Sequence, residues 1–182
     1  MRQAKVTVQR PKQRHPVTTD SRHGYTVAPN LLARQFAVEK PDQVWVGDIT
    51  YVWTAEGWLY LGVLLDLCSR KVVGWAMSQR VDAALVQEAL QMALGRRQPA
   101  AGLIHHSDRG SQYACGAYQT LLVASGMRCR MSRKGDCLDN AVAERFFGSL
   151  KGERTSLRHD ATRQEAWDDV LDYLEMFYNS KR

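Results

Sequence analysis

Asp48, Asp108 and Glu144 lie far apart along the chain, each where a carboxylate could contribute to a shared divalent-cation site. Asp48 interrupts an apolar run, Val44-Trp45-Val46-Gly47-Asp48-Ile49-Thr50-Tyr51-Val52. Asp108 closes a second run, Leu103-Ile104-His105-His106-Ser107-Asp108. A carboxylate among apolar side chains is costly unless its charge is compensated. A divalent cation shared by all three acids would compensate it and also supply chemistry. Each residue also has a plainer reading. Ser, Asp and Gly at the end of a strand are ordinary turn formers. Glu144 lies about 200 degrees round from Val142 at roughly 100 degrees per residue, away from the stripe Val142, Phe146, Leu150. Lys151 returns to nearly the same face as Glu144, and a solvated surface has the same pattern. Asp66 in Asp66-Leu67-Cys68-Ser69-Arg70 reads as turn chemistry, with a direct role as the alternative. The pair His105-His106 has no second nitrogen cluster to join, so His106 is expected to orient a neighbour or a leaving group rather than bind a cation.

The elements that would position these groups are legible in the hydrophobic periods. Residues 44–53 alternate, with Val44, Val46, Asp48, Thr50 and Val52 on one face and Trp45, Ile49, Tyr51 and Trp53 on the other. Thr54-Ala55-Glu56-Gly57 is a turn. Residues 58–67 are almost wholly apolar, as expected of a central strand covered on both faces. Residues 71–78 form a third strand, completing an antiparallel meander. The period then becomes helical, with Asp82 as N-cap, apolar Leu85, Val86, Ala89, Leu90 and Ala93, and Gly95 as a stop. A strand at 102–106, a helix at 114–125 and a strand at 127–131 follow. Asp139 caps the helix carrying Glu144, and Thr162 with Glu165 has capping-box spacing before a last helix. These elements make an α/β chain: a mixed five-stranded sheet, part meander and part parallel, with helices on both faces. Sites in such sheets gather at the carboxyl ends of strands, where Asp108 falls.

At 182 residues and 45% hydrophobic, the chain suits one well-buried domain. No apolar run is long enough to span a bilayer and no N-terminal signal is evident, so a cytoplasmic protein without a membrane partner is expected. Cys68, Cys115, Cys129 and Cys137 show neither CxxC nor zinc spacing and read as reduced, structural residues. The net charge of +6 is unevenly placed. Residues 1–40 carry eight Lys/Arg against two acids, while residues 41–182 carry seventeen of each sign. Residues 1–40 therefore read as a basic extended arm or linker, and 41–182 as the folded core. Such an arm is either a solvated tail or a phosphate-binding segment. No phosphate-cradling glycine loop, GxSxG or HExxH is present, so no nucleotide cofactor is expected.

Thirty-five residues separate Asp108 from Glu144, fifty-nine separate Asp48 from Asp108, and Lys151 lies seven beyond Glu144. This pattern resembles the DDE triad of retroviral integrases and transposases. The words Trp45-Val46-Gly47-Asp48-Ile49-Thr50-Tyr51, Asp66-Leu67-Cys68-Ser69-Arg70-Lys71-Val72-Val73-Gly74-Trp75, His106-Ser107-Asp108-Arg109-Gly110-Ser111-Gln112-Tyr113 and Asp139-Asn140-Ala141-Val142-Ala143-Glu144-Arg145-Phe146-Phe147 are similar to the integrase core of bacterial insertion-sequence transposases, best those of insertion sequence family three, second reading frame. The resemblance covers roughly residues 25–182. The family more often has Ser at Arg145 and an aromatic residue at Leu138. Its members usually begin with a helical DNA-binding region and continue past Asn179 with a basic segment, so the resemblance implies a catalytic core truncated at its C-terminus.

The same resemblance implies a ribonuclease H-like fold in which Asp48, Asp108 and Glu144 hold two Mg²⁺ or Mn²⁺ ions, with Asp48 bridging them. It implies a polynucleotidyl transferase that cuts transposon ends and joins the 3′-hydroxyl to target DNA. Lys151 and Arg145, then Arg133 and Lys134, are the implied DNA contacts, with His106 and Asn140 in support. A homodimer or larger assembly on DNA in the bacterial cytoplasm follows. The alternatives are a metal-dependent nuclease of the same fold and a non-catalytic DNA-binding fragment of a transposase.

Overall fold

A computed structural model of the protein describes residues 38–132, 141–156 and 160–180, with the single positions 16, 18, 24 and 158. Residues 2–14 of the basic arm, Arg133, Lys134, Cys137, Leu138, Asp139 and Asn140 lie outside the described residues. The meander expected from the sequence is present: β1 (Val44–Thr54), β2 (Gly57–Asp66) and β3 (Val72–Ser78) pair antiparallel. Helix α1 (Ala83–Arg97) leads to β4 (Ile104–Ser107), which pairs parallel with β1. Two short helices, α2 (Ser111–Ala114) and α3 (Gly116–Ala124), precede β5 (Arg128–Met131), parallel to β4. Helix α4 (Ala141–Leu150) continues as π-helical turns over Lys151–Thr155. Helix α5 (Arg163–Asp172) likewise continues as π-helical turns over Tyr173–Tyr178. The sheet order is β3-β2-β1-β4-β5, which puts β1 at the centre.

The alternation along β1 sorts two hydrophobic cores to the two faces of the sheet. Val44, Val46 and Val52 join Leu61, Val63 and Leu65 of β2 beneath Phe146, Leu150, Val170 and Leu174. Trp45 and Ile49 join Leu64 and Val73 beneath Leu85, Leu90, Tyr118 and Leu122. Strand β2 is therefore covered on both sides, as its apolar run required. Thr162 accepts from the Glu165 amide and Glu165 reaches back toward it, so the capping box forms as expected. Cys68, Cys115 and Cys129 are free thiols.

The structure corrects the sequence reading in two places. Helix α1 passes through Gly95 to Arg97, and Gln98, at φ 45°, forms the left-handed cap instead. The extra turn is rewarded by charge, since Arg97 grips Asp42 through two nitrogens at 3.0 and 2.8 Å and Arg96 meets Glu175 at 2.8 Å. The expected helix at 114–125 is broken at Cys115, whose backbone is extended. Gln119 Nε2 bridges the break by donating to the Tyr113 carbonyl at 2.7 Å.

Helix α1 packs so closely on β3 that a Cβ on Gly74 would stand 2.2 Å from the Ala89 carbonyl oxygen and 2.7 Å from the Ala93 methyl. Gly95 on the same helix meets nothing within 4 Å. Gly74→Ala is expected to cost about 1–3 kcal/mol by forcing α1 off the sheet. Gly95→Ala is expected to be neutral or to stabilise by up to about 1 kcal/mol. Urea unfolding of the two variants separates these outcomes.

Candidate active site

Strand pairing alone brings the two aspartates together. In the parallel β1–β4 ladder Val46 stands opposite His106, so two residues further on Asp48, midway along β1, comes level with Asp108, one residue past the end of β4. Adjacent strands lie about 4.8 Å apart. Asp48 Oδ1 accepts from the next amide, Ile49 N, at 2.8 Å, and Asp108 Oδ1 accepts from Gly110 N at 2.8 Å. The loop after Asp108 is tied down, since Arg109 Nε donates to the Ser132 carbonyl at 2.7 Å and Ser132 N donates to the Ser107 carbonyl at 2.9 Å. Gln112, buried beside this loop, donates to the Thr18 carbonyl at 3.1 Å, which brings one residue of the N-terminal arm to the same corner.

Helix α4 delivers the third acid. Phe146 and Leu150 are buried and Val142 packs partly against them, whereas Glu144 is exposed on another face. The electrostatics of Asp48 register all three neighbours. Its pKa is raised to about 8, chiefly by burial and then by Asp108, with Glu144 adding to the rise; the Ile49 amide and Lys151 oppose it. Asp48 keeps part of its surface open to solvent, so the acid is enclosed but reachable. The two other carboxylates and Lys151 thus lie within electrostatic reach of Asp48. They are not yet a closed set of ligands: among the described residues, no three His, Cys, Asp or Glu side chains stand close enough together to hold an ion. The donor chemistry nevertheless fits a hard divalent cation, because three carboxylates are oxygen ligands. A cation among them would also cancel the repulsion that raises Asp48.

The remaining candidates are placed unequally. Lys151 is half-buried at the junction of α4 and its π-helical turns, with Nζ 4.3 Å from the centre of the Tyr51 ring. Burial lowers its pKa, and Asp48 partly offsets that effect. Arg145 is exposed and lines a groove of about 270 Å³ with Arg70, Val142, Phe146, Ser149 and Tyr178. His106 is fully buried and, paired with Val46 in the ladder, lies on the same face of the sheet. Asp66 serves the turn: Oδ1 accepts from Ser69 N and Oγ at 2.6 and 2.7 Å, and Oδ2 from Asp42 N at 2.7 Å.

One layer behind the site was not singled out in the sequence. His105 is fully buried, Nε2 lies 2.9 Å from the Tyr118 hydroxyl, and burial, helped by His106, lowers its pKa to about 3, keeping it neutral. A Cβ on Gly47 would stand 2.9 Å from His105 Nε2 and 3.3 Å from the Tyr113 ring. Burial raises the Tyr113 pKa well above its ordinary value, with Asp48 adding to the rise. The only sequence signal was a glycine where the alternation of β1 asks for a large apolar residue.

A sheet of this order, with one acid midway along its central strand, a second just past the end of the neighbouring strand and a third on a covering helix, is the ribonuclease H-like architecture of integrase and transposase catalytic domains. The integrase core domain family matches residues 38–137, and the chain belongs to that family. Its relatives include the transposase InsF for insertion sequence IS3A of Escherichia coli (strain K12), 48% identical over 160 residues, 88% of this chain and 56% of that protein. They also include the insertion element IS600 uncharacterized 31 kDa protein of Shigella sonnei, 48% identical over 171 residues, 94% of this chain and 63% of that protein. The chain thus spans somewhat more than half the length of these relatives. The resemblance to transposases of insertion sequence family three is borne out. Among solved structures, the Mos1 transposase catalytic domain with raltegravir and Mn aligns over 76% of this chain and 75% of its own, with a TM-score of 0.61 and 15% identity, a likeness of fold.

The raised pKa of Asp48 fixes the sign of a pH effect. The folded protein holds a proton there that the unfolded chain releases near the ordinary carboxylate pKa, so Asp48 costs stability as pH rises from about 4 to about 8. In the absence of metal, Asp48→Asn is expected to match the wild type in thermal unfolding near pH 4. It should be the more stable protein near pH 9.

Proposed function

We propose that this chain is the catalytic core of a DNA transposase, a metal-dependent polynucleotidyl transferase. It would cut the ends of the element and join the new 3′-hydroxyl to target DNA. The observation that carries this reading is the electrostatic reach of Asp48 on β1 to both Asp108, just past β4, and Glu144 on α4. Asp48, Asp108 and Glu144 would together hold two Mg²⁺ or Mn²⁺ ions. Bound there, such ions favour deprotonation of the attacking oxygen and neutralise charge on the leaving oxygen.

The protein's own groups do the positioning. In cleavage, water attacks the phosphorus and the strand's 3′-oxygen leaves, taking up a proton; in joining, that 3′-hydroxyl attacks a target phosphate in the same way. Neither step needs a protein nucleophile. Lys151, half-buried beside Asp48, is suited to hold a backbone phosphate, and Arg145 to hold one further along α4. Arg133 and Lys134 would extend this contact. His106 would fix its neighbours from within the sheet, and Asn140 would support the start of α4. Coupling two element ends calls for a homodimer or larger assembly on DNA. Among the described residues no helix is long and apolar enough to cross a membrane; by likeness to its bacterial relatives the chain would act on DNA in the cytoplasm.

The test is Mg²⁺- or Mn²⁺-dependent nicking of DNA bearing the element's ends, by the protein and by Asp48→Asn. A loss of roughly two orders of magnitude or more is expected in the variant, as for removal of an electrostatic group at a reacting centre. Equal activity in both would refute the assignment. A substrate already cut to expose its 3′-hydroxyl separates a transferase, which joins it, from a nuclease, which does not. The open arrangement of the triad favours one second reading, a DNA-binding fragment. It would bind DNA with salt-sensitive affinity and cleave under no metal.

A further inference from the structure

The catalytic groups leave an aromatic cluster at the closed end of the β1–β2 hairpin unexplained. Tyr51 and Trp58 meet edge to face with centroids 5.0 Å apart, and Trp53 and Trp58 with centroids 4.7 Å apart. Trp53 and Trp58 stand directly opposite each other in the β1–β2 register. Trp53 nonetheless remains 41% exposed, while Trp45 is fully buried in the same strand. An indole left open in this way gives up burial energy unless something else covers it.

Continuity with the catalytic groups indicates what covers it. Lys151 lies within electrostatic reach of Asp48 and sits over the Tyr51 ring, which touches Trp58, which touches Trp53. A cation leading into a row of aromatic rings is the pairing that single-stranded nucleic acid uses, phosphate to charge and base to ring. Asp48 and Trp53 are five steps apart on β1, roughly 17 Å at about 3.3 Å each and a span of a few nucleotides; they face opposite sides of the strand, and Lys151 over Tyr51 links them past the end of the β1–β4 ladder. The hairpin is held rigid for this task. Ala55 N donates to the Asp160 carbonyl at 3.0 Å, and Arg163 N to the Glu56 carboxylate at 2.9 Å. The Arg163 guanidinium donates to the carbonyls of Glu56 and Trp58 at 2.6 and 3.2 Å. A surface already in place loses little entropy when a ligand docks on it.

We propose that Trp53, backed by Trp58 and Tyr51, is a stacking surface for an unpaired nucleobase a few nucleotides from the phosphate that Lys151 would hold beside Asp48. This rests on the catalytic reading for the position of that phosphate. A paired base is hidden within its stack, so the surface selects DNA whose end has opened.

The experiment measures binding of a short labelled single-stranded oligonucleotide and of the same oligonucleotide with abasic sites in place of its bases. EDTA is present throughout, so that no cleavage occurs. Trp53→Ala is expected to weaken binding of the base-bearing strand about tenfold and to leave the abasic strand unchanged, the loss of one base–ring stack. Trp53→Phe should recover most of that loss. Equal weakening on both strands, no weakening, or no binding of single strands by the wild type would overturn the proposal. So would a change in self-association in place of a change in base binding, which would mark Trp53 as a protein-docking residue. The binding assay contains no metal and is read apart from the metal-dependent nicking assay, so base stacking and catalysis fail or stand separately.

Discussion

A carboxylate on the central strand of a two-faced sheet is the constraint around which this molecule is organised. Asp48 interrupts a largely apolar face of β1, and two further acids, Asp108 just past β4 and Glu144 on α4, lie within its electrostatic reach. The fold therefore raises the energy of an ionised Asp48 in the cation-free protein, where the Ile49 amide and Lys151 only partly compensate. Repulsion of this kind is tolerated because the surrounding cores are extensive and continuous on both sides of β1. Local cost set against global packing is the usual signature of a site kept for chemistry.

Most of that arrangement could be read from residue order, because the determining periods are strong. The alternation of β1 identified the face of Asp48, and the apolar completeness of β2 identified a central strand. The spacing of Val142, Phe146 and Leu150 fixed which way Glu144 would not point. The misreadings have tertiary causes. Gly95 stops nothing, since the ion pairs of Arg96 and Arg97 reward another turn of α1 and Gln98 accepts the left-handed cap. The break at Cys115 is sustained by a side chain, Gln119, that local propensity does not weigh. The imidazole of His105 beneath Gly47 was illegible because a glycine in a strand does not say what occupies the space it leaves.

The two aspartates and the glutamate also differ in how firmly they are held. Asp48 and Asp108 are fixed by a ladder and by backbone amides, so their separation belongs to the sheet. Glu144 rides on a helix whose buried face packs on that sheet but whose acid is exposed. Glu144 is therefore the least firmly held of the three acids. The π-helical turns beginning at Lys151 lie at the end of that same helix, where the regular hydrogen-bond ladder is already altered.

The last forty residues bear on how the protein is made. Asn179 donates to and accepts from the backbone of Val72, Tyr178 donates to the Arg70 carbonyl, and Asp160 and Arg163 clasp the first hairpin. Synthesis from the N-terminus thus releases the central meander long before the segment that fastens it. A nascent chain can therefore hold Asp48 and Asp108 before either Glu144 or the contacts that fasten the meander have been made.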